Sequence, residues 1–457
     1  MTDEVSSQFT LQRLRQASEK DRNDSRNLFV PRRALKQIID RKRVEKLLET
    51  LPSAHDNVQV EKVAEQICPE PGGCFCKHDY CTGGRMIFAT LLLLGREDVV
   101  FSFLSDPHLC DCKLPLFTAT STSSTEPPSF PPNEDPAAFK CLYETERKFF
   151  AHFQWQVFTP FFNKLYPGKE YNKVITLPEA FSLPWQELER VSKPEEWEQS
   201  YVEKVKIFAG NHALGPNNND VFALKTLEKS RNAGMTPKRF QQEIKANSYV
   251  PKHERIVPLL AAYKYREKSC LVFPFADRGN LQEVWKRYSP ANIDHGQGDL
   301  ATWYSEDWLL EECFGIADAL AVVHGLPGQS GVAGPEFKAQ IHTDIKPVNI
   351  LCFKSYNGEG ERLFLKLADF GEAKEIESES TVKANRVPHV KTYRPPEYSP
   401  EGHISPNYDV WCLGCLFLEF VTWALKGWNG IKEFSKSREE EQEAPEFLEL
   451  IETRMLV

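Results

Sequence analysis

Apolar residues recur at helical spacing in two stretches near the start of the chain. Leu35, Ile38, Ile39, Val44, Leu47, Leu48 and Leu51 lie among charged residues over 32–51, which predicts an amphipathic helix, and a second helical run covers 85–104. Residues 117–137 break the pattern with Ser, Thr and Pro, which sustain neither helix nor sheet, and predict a linker. From 139 to 165, Phe149, Phe150, Phe153, Trp155, Val157, Phe158, Phe161 and Phe162 form a dense aromatic pattern that predicts a packed helical layer. The period then shortens to two at 201–208 and 221–227, with Asn- and Gly-rich turns between, so a small sheet is expected to begin at 201. Beyond 280 helical periods return, in Leu309, Cys313, Ile316, Leu320 and Val323 and again in Val410, Leu413, Phe417 and Phe420. Sheet first and helices after is an α+β order. The expected division is a helical region at 1–116, the linker at 117–137, a helical extension at 138–200 and a mixed domain at 201–457.

Length supports this division, since 457 residues exceed one ordinary domain. A hydrophobic content of 41% with 26% charged residues is a globular balance and argues against wholesale disorder. The net charge of -9 offers no basic field for a polyphosphate backbone, so nucleic acid is not expected as a partner. The longest apolar run, 86–94, is far shorter than the roughly 20 residues of a membrane-spanning helix. No membrane partner is expected, and residues 1–19 lack the apolar core of a secretory signal. The expected location is intracellular, cytoplasmic or nuclear. Arg32, Arg33, Arg41, Lys42 and Arg43 read as a solvated helix face in preference to a nuclear or anionic-surface address.

The chemistry concentrates at 341–351, IHTDIKPVNIL, which sets a carboxylate, an ammonium and a carboxamide within six residues. Phosphoryl transfer uses all three: Asp344 can orient a hydroxyl and take its proton, Lys346 can offset phosphoryl charge, and Asn349 can give a neutral oxygen to a metal ion. Downstream, the alternation of Leu363, Leu365 and Leu367 predicts a strand ending in Asp369, Phe370 and Gly371. A second carboxylate at a strand end suits Mg²⁺, which favours hard oxygen ligands.

These motifs resemble the eukaryotic protein kinase family, in its Ser/Thr type. The resemblance covers about 201–430 and implies a bilobal fold, with a small β-rich N-lobe at 201–275 and a helical C-lobe at 277–457. It implies ATP and Mg²⁺ as cofactors and a protein hydroxyl as substrate. It makes Asp344 and Lys346 catalytic, and Asn349 and Asp369 metal ligands. VFALK, ending at Lys225, resembles the strand whose lysine contacts ATP phosphates, with Glu243 as its ion-pair partner. LVFPFADRGNL resembles the hinge, with Phe273 as gatekeeper and Phe275 and Ala276 beside adenine, while Ala223 and Leu351 sandwich the ring. RPPE, ending at Glu397, and YDVWCLG, with a buried Asp409, follow in the family's order. His342 is expected to pack against Phe370.

The chain also departs from the pattern. The glycine-rich loop, expected between Val205 and Val221, offers only Gly210 and Gly215. Thr343 stands where many members carry arginine, Val390 stands in place of a threonine, and Asn247 puts a polar group in an apolar spine. The C-lobe reads as shortened after the Asp409 helix, with no evident arginine partner for Glu397. The alternative to an active kinase is a pseudokinase scaffold that binds partners through its N-terminal helical region, which resembles the helical extensions of fungal kinase-like proteins. Cys68, Cys74, Cys76, Cys81, Cys110 and Cys112, with His78 and His108 between them, fit no paired CxxC spacing. Unligated thiols are the expected reading there, with structural Zn²⁺ the less favoured one.

Overall fold

The computed structural model describes residues 6–443 apart from 55–56, 79–80, 117–136, 165–173, 192–199, 216–219, 228–234, 251, 291–298, 301–302, 327–337, 358–359, 377–381, 385–390, 397 and 400–401. The expected linker, Val390, Glu397 and most of 325–340, a Gly- and Pro-rich stretch whose composition reads as a surface loop, therefore lie outside the described residues.

The N-terminal helices are α1 (Ser7–Gln16), α2 (Arg32–Ile38), α3 (Arg41–Glu49), α4 (Asn57–Ile67), α5 (Arg85–Leu94) and α6 (Val100–Phe103). The single helix expected over 32–51 is two, because Asp40 caps α3: its carboxylate accepts from the Arg43 backbone N–H, satisfying a donor that a continuous helix would have paired. The run at 85–104 divides at Gly95, whose φ of 72° is the left-handed turn that closes a helix C-terminus. Leu14, Leu35, Leu48, Ile67, Phe88, Phe103, Phe139 and Phe150 fill this unit's core.

The stretch 138–200 departs most from expectation. Its α-helix is α7 (Glu144–Phe153), and its later part supplies strands of a six-stranded sheet. In sheet order these are Ile175–Thr176, β4 (Ala261–Tyr265), β5 (Lys268–Pro274), β3 (Val221–Leu227), β2 (Ser200–Ile207) and β1 (Trp185–Arg190). The sheet thus begins before 201. Phe158 and Phe162, read as helical core, sit instead on irregular and extended chain, where they pack with Phe181 and with Trp185 of β1 in the core of the sheet. Phe162 and Trp185 stack at 5.3 Å, and Phe162 lies 5.3 Å from Tyr263 of β4.

α8 (Met235–Tyr249) precedes β4, and α9 (Leu281–Arg287) and α10 (Glu306–Val323) open the helical lobe. The β6–β7 hairpin (Ile350–Asn357 with Gly360–Leu367) and α11 (Asn407–Glu443) complete it, as the bilobal α+β expectation required. Trp285, Trp308, Ile341, Leu367, Phe370 and Trp423 anchor its core. Among the described residues, 407–440 of α11 is long and apolar enough to cross a membrane. That stretch is kinked at Gly427 and buries Asp409, Leu416, Phe420 and Trp423 in the lobe, as the core helix of a folded domain does.

Candidate active site

The site is assembled by β3, α8, the segment from Ile341 to Asn349 and the end of β7. β3 lies between β5 and β2, so its residues are fixed on both sides, and Ala223 pairs with Phe273 across to β5. Lys225 leaves this strand towards α8, where Glu243 is 1% exposed and accepts from its ammonium at 2.8 Å. The same ammonium lies 2.9 Å from Asp369. Desolvation pushes the Asp369 carboxyl up, and the Lys225 charge more than offsets it, holding the group at about 2. Desolvation likewise opposes the Lys225 charge, but Asp369 and Glu243 raise its pKa above the ordinary lysine range.

Asp369 has φ 64°, a left-handed conformation rare for a residue with a side chain, and its carboxylate accepts from the Gly371 N–H at 3.2 Å. Gly371 is needed for closeness: a Cβ there would stand 3.1 Å from Asp369 Oδ1 and 3.4 Å from Glu243 Oε2. His342 packs as expected, its ring 4.9 Å from Phe370, and it also bonds the Ala368 carbonyl at 3.1 Å through Nε2.

Asp344 is held from two sides. Lys346 Nζ is 2.8 Å from Oδ1, and the Asn349 amide donates to Oδ2 and to the Asp344 carbonyl, both at 2.8 Å. With its nitrogen used in these bonds, Asn349 has its carboxamide oxygen left for a cation. The Asn349 backbone carbonyl accepts the Ala368 N–H at 2.9 Å, which ties this loop to the chain entering Asp369.

The loop rests on Asp409 of α11, which is fully buried and accepts from the backbone N–H groups of His342 at 2.6 Å and Thr343 at 2.8 Å. His324, just past α10, lies 2.8 Å from the same carboxylate, a partner that sequence reasoning missed because nothing local marks it. Thr343 adopts φ 68°, and its hydroxyl donates to the Glu372 carbonyl at 2.9 Å, joining the loop to the segment after Gly371. Asn247 is satisfied within α8 by donating to the Glu243 carbonyl at 2.8 Å, so its polar group is buried without loss.

The segment expected as the hinge runs from β5 into α9. Phe273 and Phe275 are half-buried and Ala276 is buried, and Leu351 joins Asn280 in an isolated bridge, so the hinge lies along β6. The Arg278 N–H donates to Cys352 and the Cys352 N–H to Gly279, fastening it further. Phe275 carries the Lys204 ammonium 5.2 Å from its ring centre. A cavity of about 510 Å³ opens beside the Asp344 loop, lined by Lys346, Thr392, Tyr393, Glu419, Trp428 and Lys432 among others.

A family model described as "Protein kinase domain" matches residues 211–453, more than half of the chain. The chain belongs to the protein kinase family. Among curated proteins, the kinase domain is similar to a probable receptor-like serine/threonine-protein kinase of Arabidopsis thaliana, 31% identical over 204 residues. That alignment covers 44% of this chain and 40% of the relative. It is also similar to an EPD1-interacting receptor-like cytoplasmic serine/threonine-protein kinase of Nicotiana benthamiana, 30% identical over 173 residues, 37% of this chain and 31% of that protein. The chain thus spans well under half the length of these relatives.

The kinase fold also corrects the position of the glycine loop. The family's phosphate lysine stands on the third strand, so the covering loop joins the two strands before it. Here those are β1 and β2, and their connection is 191–199, VSKPEEWEQ, which contains no glycine and three glutamates, Glu195, Glu196 and Glu198. Gly210 and Gly215 belong to the next connection, between β2 and β3.

Proposed function

We propose that the protein is an ATP- and Mg²⁺-dependent protein kinase acting on serine or threonine hydroxyls. The observation that carries this is the convergence of Lys225, Glu243 and Asp369 in one ion-paired group, beside an Asp344 held by Lys346 and Asn349. ATP bound with Mg²⁺ supplies the phosphoryl group. The donor set fits that pair: Asp369 is a carboxylate kept ionised by Lys225, and Asn349 offers a neutral oxygen from the adjoining loop. Lys225, fixed by Glu243, places its charge against phosphate oxygens, and Ala223, Leu351 and the hinge residues Phe273, Phe275 and Ala276 enclose the adenine.

Asp344 orients the acceptor hydroxyl and takes its proton at a carboxylate oxygen, while Lys346 steadies the charge that develops beside it. The groove holding Lys346 and Thr392 receives the acceptor polypeptide. Serine/threonine preference follows the relatives, which are serine/threonine-protein kinases by name. The domain limits read from the chain shift on this account: the N-lobe runs from β1 to the hinge, and the helical region at 1–116 is the surface for partner proteins. An intracellular setting suits ATP use and twelve reduced cysteines.

The scaffold reading draws on the glycine-free segment 191–199, which offers a poorer backbone cradle to phosphates. Full-length protein is incubated with labelled ATP, Mg²⁺ and a generic protein acceptor beside Asp344→Asn. Transfer is expected to fall by about 10³-fold in the variant, while the ATP-induced rise in melting temperature persists. Equal incorporation by both proteins would discard the enzyme reading.

A further inference from the structure

The cysteines of the N-terminal region converge away from the kinase cleft. Cys74, Cys76, Cys81 and Cys110 place their sulfurs all within 4.8 Å of one another, although they come from two segments separated by α5 and α6. The Sγ separations are 3.5 Å for Cys76 to Cys74 and 3.5 Å for Cys81 to Cys74. A tetrahedral zinc with Zn–S bonds of about 2.3 Å has edges of roughly 3.8 Å, close to these spacings. Disulfide bonding would bring a pair to about 2.05 Å, and none of these cysteines is so joined. An iron–sulfur cluster must spread its thiolates over two or more irons, whereas all four sulfurs here could meet one ion.

Protein contacts hold the two segments together without metal. The Asp111 N–H donates to the Gly83 carbonyl at 2.7 Å. The buried Asp111 carboxylate accepts from the Thr82 hydroxyl and from the backbone N–H groups of Met86 and Ile87 at the start of α5, at 3.0 and 3.1 Å. Cys110 and Cys112 flank this aspartate, so anchoring it to α5 also sets the thiols facing the 74–81 loop. Cys112 lies 3.7 Å from Cys76, and Cys76, Cys112 and His78 form a second, overlapping group that makes the surroundings rich in donors.

We infer that Cys74, Cys76, Cys81 and Cys110 bind one structural zinc ion, which fastens the loop after α4 to the turn after α6. This assigns metal where the chain's spacing alone favoured free thiols. The local CxC pairs at 74–76 and 110–112 hide the site, because neither has the two-residue gap of a zinc knuckle and the ligands meet only in the fold. All four protein ligands are sulfur, so no open position remains for a substrate, and the role is structural.

The test uses the full chain, purified under reducing conditions without chelator. Elemental analysis and native mass spectrometry are expected to give one zinc per chain. Zinc should be lost from Cys74→Ser/Cys76→Ser and retained by Cys141→Ser, whose thiol lies outside the cluster. Because the double variant could misfold, wild-type protein is also titrated while folded with a mercurial in the presence of a zinc-responsive dye. Release of one zinc as about four thiols are consumed is expected, with a fall of roughly 5–10 °C in melting temperature. Metal-free protein that takes up no zinc from solution overturns the inference, as does bound iron with visible absorption or a disulfide within the cluster. The Asp344→Asn variant should hold the same zinc, so the metal result stands apart from the kinase result.

Discussion

Arg255 illustrates how one side chain can set the tolerance of its neighbours. Its guanidinium is almost fully buried, pairs with Glu312 of α10, and lies 3.6 Å over the Phe364 ring of β7. Glu312 also accepts the Leu365 N–H at 2.7 Å, so the pair links helix to hairpin. Burial pushes the Glu312 carboxyl up, and Arg255 opposes that shift. Space for the guanidinium comes from Gly315, where an added Cβ would stand 2.6 Å from Arg255 Nε. In an open helix Gly→Ala stabilises by about 1 kcal/mol, but here the methyl group must displace a guanidinium fixed by a carboxylate and a ring. Gly315→Ala is therefore expected to destabilise by about 1–2 kcal/mol, read from the denaturant midpoint. A midpoint at or above that of the wild type would mean that the guanidinium moves aside freely.

At the scale of elements, α11 controls the active loop through one residue. Asp409 takes the N–H groups of His342 and Thr343 and faces His324, so α10, α11 and the loop converge on a single carboxylate. Asp409→Asn puts an N–H₂ where three donors already point, and the loss should be about 3 kcal/mol of stability with at least tenfold slower transfer. Retained activity with a lowered melting temperature would separate the structural from the positioning role. Asp344, Lys346, Asn349 and Asp369 were legible in the sequence because they fall in two short local motifs. β1 was not legible: a bulge after Trp185 shifts the register between Trp185 and Glu187, breaking its alternation, and no glycine motif follows. The aromatics at 158–162 misled for a related reason, since spacing records how apolar a segment is better than whether it coils. The thiol cluster stood out in the chain as a group, but which four thiols meet did not, because Cys110 joins the other three through the fold rather than through a short spacing.

For the whole molecule, the N-terminal helices and the kinase sheet are packed against each other through the segment between them. The Val30 N–H donates to the Gln156 carbonyl at 2.7 Å, and Arg22 donates to the Gln186 carbonyl at 3.2 Å. Fully buried Asn211, between β2 and β3, accepts from the Arg32 N–H at 3.2 Å and donates to Thr159 Oγ1 at 2.7 Å and to the Pro160 carbonyl at 3.2 Å. Tyr265 of β4 donates to the Phe181 carbonyl at 2.6 Å. A kinase domain cut at 201 would lose this cover along with β1. It would forfeit the burial of Phe162, Leu177, Phe181, Leu183 and Trp185, at about 2 kcal/mol each, and expose Tyr263 and Val205 beneath them. The total, roughly 10 kcal/mol, matches the whole stability of a typical domain. Residues 201–457 expressed alone are thus expected to be insoluble or to melt without a cooperative transition, whereas the full chain melts cooperatively. A soluble 201–457 fragment with the melting temperature of the full protein would show that the aromatic cover and β1 contribute little to holding the kinase sheet.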